Sequence, residues 1–145
     1  MEFVYTQAQT VENGGNLLLN NKYDGCNPNI FHSNESGVIT LRPVINNPAC
    51  NRFAQYSVTC VCNIAVPTGG TVEEISIALA DEGERDLSTR SRFTPTAVDV
   101  FGSVTINTTV RVPAGCCKHI AIEAIVPSGG PITAQEVNVS VIRTA

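Results

Sequence analysis

The stretch "FAQYSVTCVCNIAV", residues 53–66, sets Ala54, Tyr56, Val58, Cys60, Cys62, Ile64 and Val66 on one parity, with Gln55, Ser57, Thr59 and Asn63 on the other. Successive side chains of a strand point to opposite faces, so this period of two predicts a long strand with one face buried and one wet. The pattern recurs downstream. Ile75, Ile77 and Leu79 alternate with Glu74 and Ser76, and Val104, Ile106, Val110 and Val112 with Thr105, Asn107, Thr109 and Arg111. A last instance sets Val137, Val139 and Val141 against Glu136, Asn138 and Ser140. Shorter candidates cover residues 3–10, 16–20, 29–32, 38–42 and 118–126, giving eight to ten strands in all.

Three connections share one device: "VPTGG" at 66–70, "VPAGC" at 112–116 and "VPSGGP" at 126–131. Each ends a strand on Val, then uses Pro to fix φ and withhold an N–H, then Gly where φ turns positive. A phosphate-cradling loop would need a Lys followed by Ser or Thr after the glycines, and a helix beyond; neither is present. "TPTAVDVF", 94–101, has the capping Thr94 and first-turn Pro95 of a single helical turn. Residues 20–50, rich in Asn, Gly and Pro, read as long loops around short strands.

The composition agrees with an all-β chain. Its 145 residues suit one domain, Trp is absent, and charged residues are only 15%. We expect a two-sheet sandwich of the jelly-roll kind, with residues 1–10 as an N-terminal arm or edge strand and 11–145 as the domain. The formal charge of −4 comes without a cluster of Lys or Arg, so neither a nucleic-acid backbone nor an anionic membrane is an expected partner. The N-terminus lacks the basic and apolar regions of a secretory signal, and no apolar run approaches the ~20 residues of a membrane span. The expectation is synthesis in the cytoplasm, where thiols stay reduced.

The chain has six cysteines and two histidines. Cys60 and Cys62 lie on the apolar parity and read as core residues. In "GCCKHI", Cys116 shares a parity with Ile120 and Ile122, and Cys117 with His119 on the opposite face. Cys117 and His119 could supply two metal ligands, with Cys26, Cys50 or His32 completing a tetrahedron, but the CxxC knuckles of structural zinc sites are missing. No metal and no cofactor are therefore expected. A Cys26–Cys50 disulfide is a second minority reading. A nucleophilic Cys–His pair would need a cleft and an orienting acid that this turn and strand do not offer.

Glu73, Glu74, Asp81, Glu82, Glu84 and Asp86 read as strand-end and hairpin-tip carboxylates, the tip centred on Gly83. They only loosely imitate a calcium loop. His32 reads as a hydrogen-bonded loop histidine, and the chain as a non-enzyme.

"NIFHSNESGVITL" (29–41), "NIAVPTGGTVEEISIALADEGE" (63–84), "TPTAVDVFGSVTINTTVRVPAGCCKHIAI" (94–122) and "VNVSVIRTA" (137–145) resemble a domain of phage and prophage structural proteins. This domain is a jelly roll of the tumour-necrosis-factor and complement-head type. The resemblance covers nearly the whole chain from Phe3 onward. It implies a ten-strand homotrimer whose apolar and aromatic side chains meet near a threefold axis, for which Phe3, Tyr5, Tyr56 and Phe101 are the candidates. It implies no catalytic residues. Since the chain has neither Gly-X-Y repeats nor heptads, attachment would use the domain itself or its short arm.

The implied function is that of a structural virion protein, a capsid decoration or head-fibre protein partnered by the major capsid protein or another virion component. Two other readings compete. One is a module binding glycans or proteins of the host cell surface through Tyr23, Phe31 and the 81–86 tip. The other is a bacterial spore or cell-surface subunit crosslinked through cysteines.

Overall fold

The computed structural model describes residues 1–23, 27–43, 53–115 and 117–145. Among these residues there are eleven strands and no helix: β1 (Glu2–Tyr5), β2 (Gln9–Val11), β3 (Asn20–Asn21), β4 (Ile30–Phe31), β5 (Ile39–Leu41), β6 (Phe53–Ala65), β7 (Ile75–Asp81), β8 (Glu84–Phe93), β9 (Gly102–Pro113), β10 (Lys118–Ile125) and β11 (Ile132–Arg143). β6 is the opening stretch of the sequence reading. Its alternate side chains from Ala54 to Ile64 are all buried, while Gln55, Ser57, Thr59, Val61 and Asn63 face outward.

The connectivity is that of a jelly roll. β1 pairs with β11, β5 with β10, β6 with β9 and β7 with β8, all antiparallel. Pairs nested in this way, outermost with outermost and innermost with innermost, describe one long hairpin rolled over on itself. Rolling it separates the pairs into two sheets, ordered β3-β1-β11-β6-β9 and β4-β5-β10-β7-β8, with β2 also on β11. The core fills the space between them with Val, Ile and Leu, the two thiols Cys60 and Cys62, and two large aromatics, Phe3 and Tyr56.

Several turns follow the sequence chemistry. Gly69, Gly115 and Gly129, the first glycine of each Val-Pro connection, have positive φ, whereas Gly70 and Gly130 do not. The β7–β8 hairpin turns on Glu82 and Gly83, both at positive φ (52° and 81°), with Asp81 opposite Glu84. That two-residue geometry matches the right-handed twist of the flanking strands.

Other expectations are corrected. Residues 94–101 form no helical turn. Asp99 adopts φ 59°, donates its N–H to Val66 O at 2.8 Å and accepts the Thr68 hydroxyl. The segment is thereby tied to the loop after β6. Residues 1–10, expected as an arm or edge strand, contain β1, which lies inside the sheet between β11 and β3, with Phe3 opposite both Val139 and Asn21. β7 is buried on both faces rather than one: Ser76, Ala78 and Ala80 point out of the sandwich yet are covered. Small side chains there let the longer arms of β8 lie across them, and Arg90 Nε donates to Ser76 Oγ at 2.9 Å.

Candidate functional site

β5 finishes, β6 begins and β7 turns into β8 at one end of the sandwich, which is also where β11 ends. Here Tyr56, fully buried, aims its phenol at the rim and donates to Arg42 O at 2.7 Å and to Asn29 O at 3.2 Å. Arg42 N donates to the same Asn29 O at 2.8 Å, and Arg143 Nη1 to Asn29 Oδ1 at 3.1 Å. Burial raises the Tyr56 phenol above its ordinary value of 10.0, which keeps it a donor. A core residue of β6 therefore fixes the backbone beneath Arg42 and Asn29.

A cleft of about 410 Å³ opens beside this rim, between β3 at the edge of one sheet and β4 at the edge of the other. Asn21, Asn27, Pro28, Phe31, His32 and Arg42 are among its lining residues. His32 is held from two sides. Its Nε2 lies 2.7 Å from Ser36 O, which can only accept, so this nitrogen donates. Its Nδ1 lies 2.8 Å from Asn21 Oδ1, while Asn21 Nδ2 donates to His32 O at 3.3 Å. The imidazole also packs on Phe3, with ring centroids 4.7 Å apart. His32 is thus the hydrogen-bonded histidine expected, placed as a clamp between the sheet edges.

The other sequence candidates lie as follows. Cys117 and His119 are both exposed. His119 Nδ1 is 3.0 Å from Thr40 Oγ1, and its backbone N–H donates to Glu82 Oε1 at 2.7 Å. Among the described residues no three His, Cys, Asp or Glu side chains converge as metal ligands. Cys26, Cys50 and Cys116 lie outside the described residues, and with them the disulfide and the completed metal tetrahedron. Cys60 and Cys62 are buried as predicted, and the Cys60 thiol is pushed well up by its hydrogen bond with Cys62 and by burial.

The hairpin carboxylates are engaged locally. Asp81 pairs with Lys118 at 2.9 Å, and Asp86 accepts the Ser88 N–H at 3.0 Å. The periodicity gave no sign of Glu123, whose outward-facing side chain is only 10% exposed and meets Arg85 Nε at 2.6 Å. Parity assigns Glu123 to a wet face, whereas Arg85 and the backbone near Gly14 and Asn16 cover it.

Two of the expected interface residues are corrected: Phe3 and Tyr56 are fully buried within their own chain and have no surface to offer a neighbour. Tyr5 is half-buried against the core, and Phe101 is 37% exposed.

The outer face of the first sheet has an unusual chemistry. Strand register sets Val4, Asn138, Val61 and Thr105 in one row, then Glu2, Ser140, Thr59 and Asn107, then Ile142, Ser57 and Thr109. Glu2, at the margin and paired with Lys22 at 2.6 Å, is the one charge in these three rows, which are flanked by Arg111, opposite Gln55, on one side and by Glu136, bonded to Asn63 at 2.8 Å, on the other. The outer edge of the second sheet contrasts with it, since β8 carries Glu84, Arg85, Asp86, Arg90 and Arg92.

No protein-family model matches the chain, and no curated protein does. Among solved structures, the C-terminal domain of EclA, described as a sugar-binding protein, is similar to it at 14% identity. That alignment covers 93% of this chain and 78% of the other, with a TM-score of 0.44.

Proposed function

We propose that the chain is a self-associating structural subunit, a homotrimeric jelly roll that seats on an assembled phage shell as a capsid decoration or head-fibre protein. The observation that carries the self-association is the outer face of the β3-β1-β11-β6-β9 sheet. Interfaces are marked by loss of charge at their centre more than by overall apolarity. A flat grid of Ser, Thr and Asn around Val4, Val61 and Ile142 fits that description, and a second copy of the chain is its occupant. These short side chains have few rotamers to lose on contact, so little entropy opposes burying them.

The threefold symmetry and the phage shell rest on the resemblance carried by residues 29–41, 63–84, 94–122 and 137–145. A decoration trimer of this kind binds the assembled lattice and not the free capsid subunits, so it stabilises the shell by mass action. Such a role calls for complementary surfaces and no reacting groups.

Light scattering coupled to size exclusion tests the first half, with three times the chain mass expected at micromolar concentration. A monomer at all concentrations overturns self-association. Cryo-electron microscopy of the native particle tests the second half. Density for three copies on the outer shell is expected, and its absence from every virion surface overturns the assignment.

A further inference from the structure

We propose that the cleft between β3 and β4 binds an acidic sugar residue, a pyranose bearing a carboxylate, with Phe31 stacking on the ring and Arg42 pairing with the acid. Three observations meet there. Phe31 is 55% exposed on a two-residue strand, yet it lines a cleft large enough for one or two sugar rings. Arg42 lines the same cleft, and among the described residues no carboxylate does. In a chain of formal charge −4, a cleft whose described lining holds a guanidinium and no acid is complementary to an anion.

The third observation is the support beneath these groups. Tyr56, Asn29 and Arg143 fix the Arg42 backbone, and the His32–Asn21 clamp fixes the wall from which Phe31 projects. A rim held by these five side chains is ordered before a ligand arrives, which lowers the entropy cost of binding. The chemistry distinguishes sugars from one another. An aromatic face takes the C–H face of a pyranose, Asn27 Nδ2 is available to a ring hydroxyl because Oδ1 already accepts Asn29 N–H at 2.8 Å, and the guanidinium forks onto a carboxylate.

This site is independent of the subunit contact proposed above, being on a different face of the sandwich, so either can fail alone. The test is saturation-transfer NMR and calorimetry on the full chain with sialyllactose, glucuronate, lactose and acetate. Sialyllactose and glucuronate are expected to bind, with weakening at high salt, and lactose and acetate to bind at least about tenfold more weakly. Arg42→Gln should lose about tenfold or more for the acidic sugars only, and Phe31→Ala should lose affinity for all sugars, with melting and mass unchanged in both. Lactose binding as tightly as sialyllactose overturns the proposal. So does acetate matching the acidic sugars, an unaffected Arg42→Gln variant, or no transfer to any sugar at millimolar concentration.

Discussion

The hydroxyl of Tyr56 reaches out of the core to the carbonyl oxygen of Arg42 at 2.7 Å, joining the longest strand to the loop that follows β5. Replacing it with Phe keeps the ring and its packing but takes the proton from Arg42 O, while Asn29 O keeps its bond from Arg42 N–H. Tyr56→Phe should therefore cost about 1–2 kcal/mol in urea unfolding. Its pH dependence has a defined sign. The folded phenol titrates above its ordinary 10.0 because burial disfavours the anion, so its contribution is whole below about pH 10 and is lost as pH rises through the folded value. The variant has no such proton, and its stability should fall less steeply above pH 10; parallel alkaline profiles would refute the argument.

Cys60 and Cys62 sit on the buried face of β6, and the Cys60 thiol is held protonated by its bond to Cys62 and by burial. Burial keeps iodoacetamide from both, so both should label at the rate of unfolding while exposed Cys117 labels directly. Peptide mass spectrometry after a timed pulse separates the three. Modification of Cys60 at the Cys117 rate would show that this face of β6 opens without global unfolding.

Arg85 and Glu123 meet at 2.6 Å across the small-residue face of β7, with Glu123 nearly enclosed and Arg85 about a third exposed. Arg85→Met leaves a covered carboxylate without its partner. About 1–3 kcal/mol of stability should go, less than for a fully buried pair because the arginine side stays wet. The double variant Arg85→Met with Glu123→Met should recover part of that loss, since no unpaired charge remains. Additive losses in urea titrations would mean that the contact contributes packing and not charge compensation.

The long strands were legible because each has one dry and one wet face. β6, β9 and β11 read correctly from parity alone, and the Val-Pro-X-Gly turns marked where β6, β9 and β10 stop. β8 was invisible for the opposite reason: as the outer edge of its sheet it is wet on both sides over much of its length, and "ERDLSTRSRF" has no apolar alternation. Only the hairpin at Gly83 pointed to it. Phe3 and Tyr56 were misjudged because parity says that a side chain is buried without saying by what. Their own core covers them, where the resemblance suggested a neighbouring subunit. The cleft lay beyond reach of periodicity, since β3 and β4 are two residues each and approach one another only after the sheets have stacked.

Val61 stands in the first row of the charge-poor grid, 41% exposed, with Asn138 and Thr105 as its cross-strand neighbours. In a monomer Val61→Lys would extend its ammonium into water and change stability by no more than about 0.5 kcal/mol. Against a second copy the same ammonium meets Ser, Thr and Asn, and the one carboxylate of the rows, Glu2 at the margin, is already paired with Lys22, so association loses several kcal/mol of desolvation that little offsets. The variant should therefore keep the wild-type melting of a dilute, dissociated sample while running at one chain mass where the wild type runs at three. Leu87→Lys, on the charged edge strand β8 and more exposed than Val61, should leave the wild-type mass unchanged. If Leu87→Lys dissociates the assembly and Val61→Lys does not, the copies meet through the second sheet, and the low charge of the first face has some other cause.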